Sequence, residues 1–124
     1  MKAIIYAMQN NNEENTAIET QIKAAQKIAE NYDISVMAVF ADFQTSSVLY
    51  PDTEDAKKFA EDDAYSKHQY RIGLGAALDT IVANKIDAII VERHTRLFRN
   101  NKSQSAEYLK AFLDRHRISV LASR

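Results

Sequence analysis

Short apolar runs alternate along this chain with longer segments of helical periodicity. Lys2 to Met8 is apolar and closes on the polar run Gln9-Asn10-Asn11-Asn12, the pattern of a buried strand followed by a loop. Thr16-x-x-Glu19 forms a capping box, in which each side chain can satisfy a free N–H of the first helical turn. Ile18, Ile22, Ala25, Ile28, Ala29 and Tyr32 then recur at helical spacing and predict one buried stripe. Ile34 to Ala41, rich in β-branched and aromatic residues, predicts a second buried strand.

From Asp42 the chain loops through Ser46 and Ser47 to Pro51, the only proline. Asp52 to Asp63 carries six acids and two lysines, and Ala56, Phe59 and Ala60 predict a solvent-facing helix that ends near Tyr70. The two glycines, Gly73 and Gly75, stand where the next helix starts, and Leu74, Ala77, Leu78, Ile81 and Val82 form its apolar stripe. Ile86 to Val91 predicts a third buried strand, followed by a basic segment from Arg93 to Lys102. Ser103 can cap a last helix with the stripe Ala106, Leu109, Phe112 and Leu113, and Ile118 to Ala122 predicts the fourth strand.

Strands that are continuous apolar runs, alternating with helices, predict an α/β fold with both sheet faces covered. Right-handed crossovers make it a small doubly wound domain with a mainly parallel four-stranded sheet. Ligands of such sheets collect beyond the carboxyl ends of the strands. Those ends carry Gln9 to Asn12, Asp42 to Ser47 and Glu92 to Arg99.

Composition narrows the class. With 124 residues, 46% hydrophobic and 27% charged, the chain suits one globular domain over 1–124, with the acidic segment at about 48–70 inserted. The absence of cysteine excludes disulfides, thiolate zinc sites and a cysteine nucleophile. No apolar run approaches the ~20 residues that span a bilayer, and the apolar start stops too soon, at Gln9, for a signal peptide. A soluble, cytoplasmic domain without a membrane partner is expected.

Charge is divided unevenly. Residues 1–92 hold 15 acidic and 8 basic side chains, whereas residues 93–124 hold 2 acidic and 8 basic. Such a division suggests an acidic partner for the basic end, or simply opposite faces that balance each other. Neither the phosphate-loop nor the dinucleotide signature occurs, and Gly73-Leu74-Gly75 follows a charged helix, so helix-start packing suits it better. His68, His94 and His116 lack ligand spacing, so neither a metal nor a cofactor is expected. Arg93, Arg96 and Arg99 recur by threes, which would set Arg96 and Arg99 side by side on a helical turn. They either join on a shared anion, bidentate to phosphate oxygens, or each pairs with a nearby acid.

These residues resemble the catalytic domain of serine recombinases, the resolvases and invertases. Tyr6-Ala7-Met8-Gln9-Asn10 stands where the family has Tyr-x-Arg-x-Ser, and the segment from Thr16 through Gln21 to Tyr32 is similar to its Gln-bearing first helix. Phe40-Ala41-Asp42 matches a second strand ending Phe-x-Asp, with Ser46 and Ser47 near the family's loop serine. Arg71-Ile72-Gly73-Leu74 resembles Arg-Pro-Gly-Leu, Lys85-Ile86-Asp87 fits the entry to the third strand, and Thr95-Arg96-Leu97-Phe98-Arg99 resembles Asp-Arg-Leu-Ser-Arg. The resemblance implies a resolvase-like fold, site-specific DNA recombination as the family reaction, and Arg71, Arg96, Arg99, Ser46 and Asp42 as phosphate- or DNA-binding residues.

The same comparison exposes departures. Family members attack a DNA phosphodiester with a serine hydroxyl while arginines stabilise the phosphate. Here Asn10 takes the nucleophile's place, and an amide nitrogen has no usable lone pair for attack at phosphorus. Met8 replaces an arginine and Thr95 an acid. Thr16, Ser46, Ser47 and Tyr6 are the alternative hydroxyls, although Thr16 suits a helix cap and Tyr6 the core. The sequence ends at Arg124, before the long helix and small DNA-binding domain that usually follow. The expectation is therefore a degenerate, stand-alone member, a pseudoenzyme of bacterial or mobile-element origin. It would bind DNA weakly, or modulate a recombinase as a homo- or hetero-dimer. A protein-interaction module without DNA binding and a fragment of an active recombinase remain alternatives.

Overall fold

The central strand owes its position to its composition: from Ala3 to Met8 every residue is excluded from solvent. The computed structural model describes residues 1–9, 17–43, 72–98 and 104–123. The elements, in order, are β1 (Lys2–Gln9), α1 (Ile18–Asn31), β2 (Ser35–Phe43), α2 (Ile72–Asn84), β3 (Ala88–Val91), a 3₁₀ turn (His94–Arg96), α3 (Gln104–Arg115) and β4 (Ser119–Ala122). The expected acidic helix at 48–70 lies outside the described residues. No described helix is long and apolar enough to cross a membrane.

The four strands form one all-parallel sheet in the order β2-β1-β3-β4. Alternation along β1 builds two cores. Ile4, Tyr6 and Met8 join Leu74, Leu78 and Ile81 of α2 and Leu109, Phe112 and Leu113 of α3. Ala3 and Ile5 face the other way, where Ala25 and Ala29 of α1 close on Ala88 and Ile90. The small alanines let α1 approach the sheet, whereas the larger residues opposite fill the space beneath two helices.

Two expectations are corrected. Strand β2 is an edge and is not covered on both faces: Val36, Met37 and Val39 are 36%, 54% and 43% exposed. Helix α1 packs mainly on β1 and β3, while α2 covers only the Ala38 and Phe40 side of β2. Register slips between Ala3 and Ile4, whose partners are Val36 and Ala38, so Met37 is an extra residue in the outer strand. A bulge of this kind twists an open edge away from further pairing. Tyr32 likewise leaves the α1 stripe, being 73% exposed as the C-cap residue. Gln21 is buried in its stead.

All three passages from helix to strand share one construction. Asp33, Lys85 and Arg117 adopt φ of 55°, 53° and 57°. The next residue in each case is isoleucine, and its N–H reaches back into the last helical turn: Ile34 to Ala29 O at 2.8 Å, Ile86 to Ile81 O at 3.1 Å, Ile118 to Leu113 O at 2.8 Å. This is the Schellman closure, in which a left-handed residue ends the helix and an apolar residue locks against its last turn. At its other end, α1 begins at Ile18 with Ala17 as N-cap, and the expected capping box, which rests on Thr16, is not among the described pairs. Thr16 lies outside the described residues.

Candidate functional site

The strand order locates the site. From β1 the chain passes through α1 to β2 on one side, then crosses back through α2 to β3 and through α3 to β4 on the other. The direction of winding therefore reverses between β1 and β3, and a crevice opens beyond their carboxyl ends. Met8 and Gln9 end β1, Glu92 follows β3, and Asp42 stands near the end of β2.

Glu92 organises the β3 side. It is 4% exposed, and its carboxylate accepts two bonds from Arg93 Nε at 3.0 and 2.9 Å, with Arg93 Nη2 2.8 Å from Oε2. Arg96 Nε reaches Oε1 of the same carboxylate at 3.2 Å. The 3₁₀ turn makes this convergence. Its bonds from Arg96 N–H to Arg93 O and from Leu97 N–H to His94 O fold the chain back at once after β3. Leu97, 1% exposed, anchors the turn in the core, and Arg96, also 1% exposed, lies beside Glu92. Ser123 Oγ donates to the Glu92 carbonyl at 2.6 Å, tying the end of β4 to the same point. Burial pushes the Glu92 carboxyl up, but the hydrogen bonds and charges of Arg93 and Arg96 outweigh it and hold the group below its ordinary value. The bond to Glu92 raises Arg93 in turn. Arg93 alone of the three reaches solvent appreciably, with 35% of its side chain exposed.

The β1 side is held by an amide. Pairing of β1 with β3 stops at Ile5↔Ile90, so Met8 faces no strand there. Gln21 of α1 takes the strand's place: Met8 N–H donates to Oε1 at 3.0 Å and Gln21 Nε2 donates to Met8 O at 2.8 Å. The Met8 side chain, fully buried, belongs to the core with Leu74 and Leu78.

Near the end of β2, Asp42 is 5% exposed and fully engaged by the fold. Oδ1 accepts the Gly73 N–H at 2.7 Å, and Oδ2 accepts the Leu74 N–H at 3.0 Å and the Tyr6 hydroxyl at 2.7 Å. It caps α2 from a neighbouring strand. Gly73 permits this approach, since a Cβ there would sit 2.3 Å from the Ala41 carbonyl oxygen.

Of the residues singled out in the sequence, Met8, Asp42, Arg96 and Tyr6 are thus placed. Asn10, Thr16, Ser46, Ser47, His68, Arg71 and Arg99 lie outside the described residues, so the juxtaposition of Arg96 with Arg99 does too. Among the described residues, the arginine set beside Arg96 is Arg93, and both meet the nearby acid Glu92. His94 is exposed, and His116 packs its ring on Phe112 at 4.6 Å. Glu92 and Gln21 were not singled out as site residues. The i,i+4 spacing of Glu92 and Arg96 was a readable signal for the first; for Gln21 only a polar residue within the α1 pattern was available.

No family model matches the sequence, and no curated protein is significantly similar to it. Solved structures do match. The C-terminal catalytic domain of ISC1926 TnpA, an IS607-like serine recombinase, superposes with a TM-score of 0.69 at 16% identity, over 100% of this chain and 70% of that one. The fold is that of serine-recombinase catalytic domains. The N-terminal catalytic domain of TP901-1 integrase agrees, with a TM-score of 0.70 at 18% identity over 98% of this chain and 76% of that one. At these identities the fold is what is shared, and the site of this domain rests on its own residues.

Proposed function

We propose that this serine-recombinase-like domain binds a DNA phosphate without cutting the strand, and acts by weak DNA contact or by modulating a site-specific recombinase. The observation that carries the reading is the pair Arg93 and Arg96, gathered at the β1–β3 switch on one carboxylate, so that the trio keeps a net positive charge. Guanidinium planes match phosphate oxygens, and the reversal of winding is where such a sheet takes its ligand. By the family resemblance, Arg71 and Arg99 are expected to bind phosphate as well.

The end of β1 supports the loss of cleavage in this reading. The position where the resemblance expects an arginine holds Met8, whose side chain is part of the apolar core and whose backbone Gln21 clamps. The nucleophile's position holds Asn10. Losing a single charge-stabilising donor typically costs ~10²–10³ in rate, and here the family's serine hydroxyl is replaced as well.

Two measurements test the reading. Fluorescence anisotropy of a labelled duplex should show binding that weakens steeply with salt and is lost in an Arg96→Ala, Arg99→Ala double variant that remains folded. A nicked suicide duplex should yield no covalent adduct with the wild type or with Asn10→Ser. A covalent adduct on the wild-type chain, or no binding at low salt, removes the proposal.

A further inference from the structure

The feature that phosphate binding leaves unexplained is Glu92. A carboxylate in the middle of an anion site opposes the ligand, and this one is buried where a neutral or apolar residue would carry less desolvation cost. Its neighbours show what it does. Arg96 is enclosed, with its Nε 3.2 Å from Glu92 Oε1. Arg93 gives the carboxylate its Nε and Nη2 together, at 2.8 to 3.0 Å, while a third of its side chain faces solvent. The side chain best able to meet a ligand is therefore one that Glu92 holds through two nitrogens.

We infer that Glu92 is an internal counter-ion that occupies the Arg93 fork in the free domain, and that a DNA phosphodiester must displace it to bind. This rests on the phosphate-binding reading and adds its regulation. The backbone of Glu92 is fixed by Ser123 at 2.6 Å, and its burial leaves it little room to follow Arg93 outward. The exchange therefore falls to the Arg93 side chain, which turns from carboxylate to phosphate while Arg96 keeps Glu92 compensated. The arrangement makes contact with DNA weak and strongly dependent on salt.

Glu92→Gln is nearly isosteric and keeps an acceptor oxygen for Arg96, but removes the opposing charge. Anisotropy with a random-sequence duplex across a salt series should show this variant binding roughly ten-fold tighter than the wild type. Both proteins neutralise the same phosphates once bound, so the slope of log K against log salt should differ by less than the roughly 0.9 of one contact. A merely structural Glu92 gives equal or weaker binding; that result overturns the counter-ion role and leaves phosphate binding standing. If neither protein binds at low salt, both fall. A second measurement uses the wild type alone, should the variant unfold. The ¹⁵Nε–¹Hε resonance of Arg93 should move on saturation with duplex while that of Arg96 stays close to its free position. An Arg93 resonance unmoved at saturation overturns the displacement.

Discussion

The Tyr6 hydroxyl donates to Asp42 Oδ2 at 2.7 Å, and through that carboxylate the central strand is linked to the first turn of α2. One carboxylate thus serves a core hydroxyl and two N–H groups of a helix start. Asp42→Ala leaves the Tyr6 hydroxyl and two N–H groups without their acceptor. It should lower unfolding free energy by about 2–4 kcal/mol. Tyr6→Phe, which leaves both N–H bonds in place, should cost only about 1 kcal/mol. Urea denaturation of the two variants distinguishes them, and equal losses would refute the capping role.

Gly73→Ala has an unusual expected sign. Alanine is favoured over glycine inside a helix by about 1 kcal/mol. At this position its Cβ would approach the Ala41 carbonyl oxygen to 2.3 Å and Asp42 Oδ1 to 2.9 Å. Overpacking against backbone costs about 1–3 kcal/mol, so the variant should be less stable despite its better helix propensity. A raised melting temperature would show that α2 can shift away from β2.

The Schellman joints predict stabilisation. Arg117 and Lys85 hold φ near 55° at positions where glycine is the commonest residue. Arg117→Gly relieves the left-handed conformation and should raise stability by up to about 1 kcal/mol, the folded-state gain exceeding the added chain entropy. Asp33→Gly should gain less, since aspartate tolerates this region better. Chemical denaturation of these two variants and of Lys85→Gly should rank Arg117 and Lys85 above Asp33.

Acid sensitivity follows from Glu92. Its folded-state value lies below the ordinary 4.5, so its stabilising contribution is complete above about pH 4.5 and is lost as pH falls through the lower folded value. Between about pH 5 and 8 it adds no slope. Glu92→Gln should therefore flatten the loss of stability seen below about pH 4.5 and leave the neutral region parallel to wild type. An unchanged acid limb would mean that other carboxylates govern it.

Much of the architecture was legible from residues that act locally. The unbroken apolar run of β1 and the isoleucines of β3 could only be covered strands, and the alternation of strand and helix allowed few other topologies. Gly73 was readable as packing, because a glycine opening a helix usually admits a close neighbour. What resisted reading depends on partners distant in sequence. Val36, Met37 and Val39 are as apolar as a buried strand, and their exposure follows from β2's place at the sheet edge. Tyr32 has helical spacing but comes one residue after α1 ends. Asp42 matched a family motif, yet its bonds go to Tyr6 and α2, which no spacing within its own strand reveals. Gln21 becomes a surrogate strand only because β3 is too short to accompany β1 to its end.

Because all four strands run the same way, every helix-to-strand joint lies at one rim and the arginine cluster at the other. Lys85 and Glu92 are separated by the length of β3 and its entry, about 20 Å at the rise of an extended chain. A dye or surface tether attached at Lys85 or Arg117 would therefore report on this domain, or hold it on a support, with the guanidinium rim left facing the solution.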